Sequence, residues 1–182
     1  VEGRPRKIPY SRMDGEHVHA IEVFGWDSIR DCVASGVYDS HLRDENGEQI
    51  RVPYRLKGWI GIHCTINKSG CLNDKDFANN RFYNPSQLRL YVRNKLAVEN
   101  FLNVLNNTQT YVNYIEGEIH FDLLDDDRLP DIATANRQGV DEHDARVELL
   151  CSILKPIVRA LINKRTALAS QMKDEMKQQE DA

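Results

Sequence analysis

The chain has 182 residues, of which 41% are hydrophobic and 29% charged, and its formal net charge is −4. This composition is typical of a globular protein, the length suffices for a core, and the charge excludes a globally basic nucleic-acid-binding protein. The sequence has no apolar run near the roughly 20 residues of a membrane span, so we expect a cytoplasmic protein. It begins with Val1, so we expect a piece of a longer chain. The four cysteines are scattered and are expected to be reduced.

Sequence periodicity predicts strands and helices in about equal measure. Alternating apolar residues predict strands over 16–26, 50–67, 87–93 and 111–124. Apolar residues three or four positions apart predict helices over 26–36, over 97–107, and from 141 almost to the end of the chain. Asn46-Gly47 predicts a turn, and the polar segment 68–86 predicts a long loop.

This order of elements predicts an α+β fold, a two-layer sandwich of a mixed sheet and helices. The segments 87–93, 97–107 and 111–124 form a predicted β-α-β unit. We expect residues 1–15 to be a basic arm or linker, residues 16–173 a single domain, and residues 174–182 a frayed charged tail. Pro156 removes a helical hydrogen bond, so the long C-terminal helix is expected to be kinked or broken there.

The irregular segment LPDIATANRQG, residues 129–139, carries the first candidate site. In it Arg137 stands between the amides Asn136 and Gln138, a set that suits an anionic oxygen arriving from outside the chain. The alternative is an ordinary surface arginine paired with a neighbouring aspartate.

Charge changes sign along the C-terminal half. Residues 116–148 hold eleven acidic residues against three arginines, whereas residues 149–173 hold five cations and no acid. The basic part is either a solvated helix face or a docking surface for a partner domain or a nucleic-acid backbone. The acidic run 125–127 indicates turn chemistry or, as the alternative, a divalent-cation site. The sequence has no nucleophile elbow, phosphate loop or His-Glu-x-x-His motif, which disfavours an autonomous enzyme, and we predict no metal site.

The block IEGEIHFDLLDDDRLPDIATANRQG, with the following LLCSILKPIVRALINKR, resembles the segment after the nucleotide-binding domain of GHKL ATPases. That superfamily includes gyrase, the ninety-kilodalton heat-shock chaperone, histidine kinases and MutL, and the resemblance extends to bacterial histidine-kinase-like ATP-binding proteins. It covers residues 87–165. It implies a transducer (middle) domain with a left-handed β-α-β crossover.

The resemblance also implies site residues and partners. Leu129-Pro130 precede Arg137, to which the role of sensing the γ-phosphate would carry, with Gln138 orienting a water or holding the loop. Lys57 and Lys95 are the candidates for a phosphate-contacting lysine. ATP and Mg²⁺ would be bound mainly by an N-terminal domain absent from this chain, homodimerisation is expected, and a nucleic acid or protein would be the client. The alternative function is a non-catalytic module that binds protein or nucleic acid.

Overall fold

The computed structural model describes residues 6–11, 18–25, 32–63, 87–109, 112, 115–132 and 141–181. Within these ranges the chain has an α+β fold in which one mixed sheet packs against helices. The strands are β1 (Arg6–Ser11), β2 (Val18–Gly25), β3 (Cys32–Arg43), β4 (Gln49–His63), β5 (Leu88–Val92), β6 (Lys95–Val98) and β7 (Ile115–His120). The helices are α1 (Leu102–Leu105), a 3₁₀ turn (Asp122–Asp125) and α2 (Ala145–Glu180).

The seven described strands form one sheet in the order β1-β2-β4-β7-β5-β6, and β3 pairs with β4 outside this path. All pairings are antiparallel except that of β5 with β7, which is parallel. The parallel pair confirms the predicted β-α-β unit, whose connection contains both β6 and α1. The left-handed crossover of this unit stays a prediction.

Strand β4 is the centre of the sheet and changes partner along its length. On one side it pairs with β3 as far as Lys57 and then with β2 from Gly61. On the other side it pairs continuously with β7. Gly58 lies between the two partners and has a φ of 130°, a conformation that side chains other than glycine rarely adopt.

The core lies between one face of the sheet and the helices. Apolar residues at alternating strand positions meet apolar residues of α1, α2 and the turns that precede α2. The members with no exposed surface are Val52, Leu56, Ile60, Ile62, Leu88, Leu90, Phe101, Ile115, Ile119, Phe121, Val147, Leu150 and Leu154. The opposite face of the sheet, which we call the outer face, therefore carries the intervening residues of each strand.

Helix α2 runs unbroken through Pro156, so the predicted break is wrong, and the alternative of a kink stays a prediction. The helix persists because it buries apolar side chains on both sides of the proline, at Leu154 and Val158. It continues to Glu180, so residues 174–180 are helical where the sequence predicts a frayed tail. Cys151 on this helix is a free, half-buried thiol.

Other sequence predictions had mixed outcomes. The turn at Asn46-Gly47 is confirmed, because it joins β3 to β4. The helix predicted over 26–36 is wrong over its described part, residues 32–36, which belong to β3. Residues 6–11 of the predicted arm form β1. The predicted loop 68–86 lies outside the described residues, and no described helix combines the length and apolarity needed to cross a bilayer.

Candidate nucleic-acid interface

The predicted phosphate-contacting triplet lies outside the described residues, since Asn136, Arg137 and Gln138 fall in the range 133–140. Their roles therefore stay predictions. The structure describes both ends of the segment that carries them, up to Ile132 and again from Asp141.

A buried arginine joins these two ends. The Nη2 atom of Arg146 donates to the carbonyl oxygen of Pro130 at 2.7 Å, and its Nε donates to the Asp144 carboxylate at 3.0 Å. Asp144 is also the N-cap of α2, because its carboxylate accepts the backbone N–H of Arg146. The helix therefore begins at Ala145, after the start that the sequence predicts at residue 141. The Arg146 hydrogen bonds hold the chain before the triplet against the helix after it.

A tyrosine of the sheet lies close to this junction. Tyr38 of β3 is half-buried, and its burial, together with the negative charge of Asp144, raises the pKa of its hydroxyl. Tyr38 and Asp144 thus lie close enough to interact electrostatically, which places the start of α2 near strand β3.

The two candidate lysines do not come together. Lys57 is exposed in the middle of β4, and Lys95 is exposed at the start of β6. The strands β7 and β5 lie between them in the sheet order. Three inter-strand steps of roughly 4.8 Å separate the two strands by about 14 Å. The two lysines therefore lie on separate strands, and a phosphate contact by either one stays a prediction.

The acidic run is engaged with arginines. The Asp126 carboxylate accepts two hydrogen bonds from the Arg128 guanidinium, at 2.9 and 2.8 Å, and these bonds lower the pKa of Asp126 to about 2. Asp127 pairs with Arg93 at 3.0 Å, and Asp125 lies 3.6 Å from the same guanidinium. These contacts agree with the turn chemistry that the sequence indicates. In the described part of the chain, no three His, Cys, Asp or Glu side chains are grouped closely enough to hold a metal ion.

Helix α2 presents an exposed row of cations. Lys155, Arg159, Lys173 and Lys177 are all exposed. At 3.6 residues per turn they lie within an arc of about 40° and extend over roughly 33 Å of helix. Asn163, Thr166 and Ser170 are exposed residues near the same arc. We call this row the α2 basic stripe.

Two of the cations in the basic stretch 149–173 do not belong to the stripe. Arg165 is 1% exposed and so belongs to the packed side of α2. Its neighbour Lys164 is exposed but lies about 140° or more around the helix from Arg159. No acid occurs between Lys155 and Lys173. The stripe therefore consists of two pairs of cations, Lys155 with Arg159 and Lys173 with Lys177, and Asp174 and Glu175 lie between the members of the second pair. Helical periodicity applied to the sequence gives its members.

Comparisons with known proteins give one distant similarity. The chain is 29% identical over 126 residues, 69% of its length, to a Herpetosiphon aurantiacus protein named "Putative type II restriction enzyme HgiDII". This chain spans 19% of that protein's length. No protein-family model matches the chain.

These findings contradict the assignment to the GHKL ATPases. The relative is named as a restriction enzyme, so the transducer-domain function and the ATP-binding, chaperone-like and histidine-kinase-like descriptions are wrong. The resemblance depended on a Leu-Pro pair and one loop arginine within a β-α-β and helix pattern, and so short a motif fits many α+β proteins. The resemblance also implied features outside this chain, namely an N-terminal domain that binds ATP and Mg²⁺, and homodimerisation. These features are tested by none of the findings and stay predictions.

Proposed function

We propose that this chain is a nucleic-acid-binding module of a restriction-type protein and that the α2 basic stripe contacts the phosphate backbone of duplex DNA. The observation that carries the proposal is the exposed row Lys155, Arg159, Lys173 and Lys177 on one side of a 36-residue helix. The similarity to a protein named as a restriction enzyme supports DNA as the ligand.

The shape of the helix suits a duplex. The stripe is roughly 33 Å long, which is close to the ~34 Å of one turn of B-DNA. The side chains that the structure describes from Thr166 to Asp181 are all exposed, so these positions of α2 are accessible to a large ligand. Lysine and arginine need no particular base sequence to contact phosphates, so we expect binding without strong sequence preference.

The net charge of −4 does not oppose this function, because the acids are concentrated elsewhere. Arg93 and Arg128 offset two of the four aspartates in the acidic turns at residues 122–128. The phosphates of a bound duplex lie close to the stripe, so the electrostatic potential near the stripe affects their binding more than the net charge of the chain does.

The proposal is tested by neutralising part of the stripe. We expect the double variant Lys155→Gln/Arg159→Gln to bind a labelled duplex of about 20 base pairs at least fivefold more weakly than the wild type, because two phosphate contacts are lost. Fluorescence anisotropy at fixed low salt measures the affinity.

The matched control removes two cations elsewhere. Arg43→Gln/Lys164→Gln changes the net charge by the same amount, and it places one substitution on another side of the same helix. It should bind duplex DNA within about twofold of the wild type, because salt screens charges that lie away from the contact surface. Equal losses in both doubles, or no loss in either, would show that the stripe is not the contact surface.

A further inference from the structure

The outer face of the sheet carries a second surface that α2 does not use. Along β4 the even-numbered residues Val52, Leu56 and Ile60 are buried against the helices. The intervening Arg55 and Lys57 are exposed. This alternation follows from the pleat of the strand, and it places these cations on the side of the sheet opposite to α2.

Strand register assembles aromatic and charged residues into two rows across this face. One row contains Tyr91 of β5, His120 of β7 and Lys57 of β4, which are direct neighbours in the strand pairing. The next row contains Arg89, Glu118 and Trp59 in the same strand order. Lys57 is exposed, and the other five side chains of the two rows are half-buried.

The aromatic part of the surface is ordered. The Tyr91 and His120 rings are stacked, with their centroids 5.0 Å apart and their planes inclined by 15°. Trp59 stands two residues along β4 from Lys57, which is the neighbour of His120. Because the two rings cover one face of each other, the faces directed away from the pair and the Trp59 ring are the surfaces on which a further ring can stack.

The charges of this face leave cations available to a ligand. Glu118 stands opposite Arg89 across the β5–β7 pair, so these two charges offset each other within their row. Among the ion pairs of the described residues, none includes Arg55 or Lys57. Asp39 lies opposite Arg51, four residues along β4 from Arg55, and its carboxylate already accepts a hydrogen bond from the Gln49 amide at 2.6 Å.

We propose that the outer face binds single-stranded nucleic acid. Unpaired bases stack on Trp59 and on the Tyr91–His120 pair, while Arg55 and Lys57 contact the phosphates between them. A duplex does not fit this role, because its bases are stacked within the helix and present no free ring surface. The inference goes beyond the proposed function of α2, since the ligand is different and the surface lies on the other side of the sheet.

The first experiment measures binding of a labelled oligothymidine of about 12 nucleotides. It is done in the Lys155→Gln/Arg159→Gln background, so that binding by the α2 basic stripe contributes less to the measured affinity. Adding Arg55→Gln/Lys57→Gln should weaken binding about tenfold and reduce the salt slope by about 1.4, that is, 0.7 for each lost phosphate contact. Adding Arg43→Gln/Lys164→Gln instead, as the matched control, should change little.

The second experiment detects stacking directly. Trp26 and Trp59 are the two tryptophans of the chain, so Trp26→Phe leaves the emission of Trp59 alone. Saturating oligothymidine should quench this emission by at least a third, and a duplex of equal length should not. Unchanged Trp59 emission at saturation, or wild-type affinity in the Arg55→Gln/Lys57→Gln variant, would overturn the proposal whatever the outcome for duplex binding by α2.

Discussion

The Asp126–Arg128 pair shows how a single turn neutralises part of the acidic run. The Arg128 guanidinium donates two hydrogen bonds to the Asp126 carboxylate, and its backbone N–H donates a third at 3.0 Å. Each bond favours the ionised carboxylate, so the pKa of Asp126 falls to about 2 from its ordinary 3.8. The free energy of unfolding therefore depends on pH through Asp126.

The sign of that coupling leads to a prediction. Because the pKa is lower in the folded than in the unfolded state, the pair stabilises the protein above about pH 4, and this contribution disappears as the pH falls towards 2. We expect Asp126→Asn to make the free energy of unfolding less dependent on pH between about 4 and 2 than in the wild type. Urea unfolding at several pH values measures this. Glu45→Gln, at an exposed turn, is the control, and identical pH profiles for Asp126→Asn and the wild type would refute the assignment.

A second residue-scale prediction concerns the glycine at which β4 changes partner. A Cβ atom added to Gly58 would lie 2.0 Å from the backbone oxygen of Glu118, and the φ of 130° is unfavourable for any side chain. We expect Gly58→Ala to lower the free energy of unfolding by about 3 kcal/mol or to prevent folding. Gly47→Ala is the matched control, because that glycine also has a positive φ, of 77°, but nothing lies within 4 Å of the added atom. Its expected cost is about 1 kcal/mol, and equal costs at the two sites would contradict the close approach.

At the scale of elements, α2 is a helix that tolerates an internal proline. Pro156 has no N–H to donate to the carbonyl of Ser152, one turn earlier, so one backbone hydrogen bond of the helix is missing. The helix is held in place by its packing against the core. We expect Pro156→Ala to raise the free energy of unfolding by about 1–3 kcal/mol, measured by urea denaturation. Ala160→Pro, at another exposed position of the same helix, should lower it by about 3 kcal/mol. A Pro156→Ala variant no more stable than the wild type would mean that the helix gains nothing from the restored bond.

The strands show which elements can be predicted from sequence. The turn at Asn46-Gly47 and the parallel pair β5–β7 follow from local residue types and from the order of segments. Strand β3 was not predictable in this way, because Cys32 and Val33 follow Ile29 at helical spacing. Its strand conformation is fixed by pairing with β4, which depends on residues up to about 25 positions away.

The candidate interface was predictable to a similar extent. The basic composition of residues 149–173 is evident in the sequence, and the alternative reading as a docking surface follows from it. What composition does not reveal is that Arg165 is buried while Lys164 is exposed, since this depends on the side of α2 that packs on the sheet. The outer-face rows depend on strand register, which long-range pairing decides.

At the scale of the whole molecule, the sheet separates two positively charged surfaces. The α2 basic stripe lies on the helical side, and Arg55 and Lys57 lie on the outer face. A rigid duplex on one side does not reach the other, so the two surfaces can be tested independently. Arg146 ties Pro130 to the start of α2, and these are the described flanks of the segment that carries Arg137. In the function proposed here, the α2 basic stripe supplies the contacts to duplex DNA.

The most direct test of the account is the salt dependence of duplex binding by the unmodified chain. If the four cations of the α2 basic stripe each contact a phosphate, the logarithm of the association constant should fall with the logarithm of salt concentration at a slope of about −3.6. The slope should shrink by about 1.8 in Lys155→Gln/Arg159→Gln, because each lost contact removes about 0.9. A slope near zero in the wild type, or an unchanged slope in the variant, would contradict the claim that this helix binds the DNA backbone.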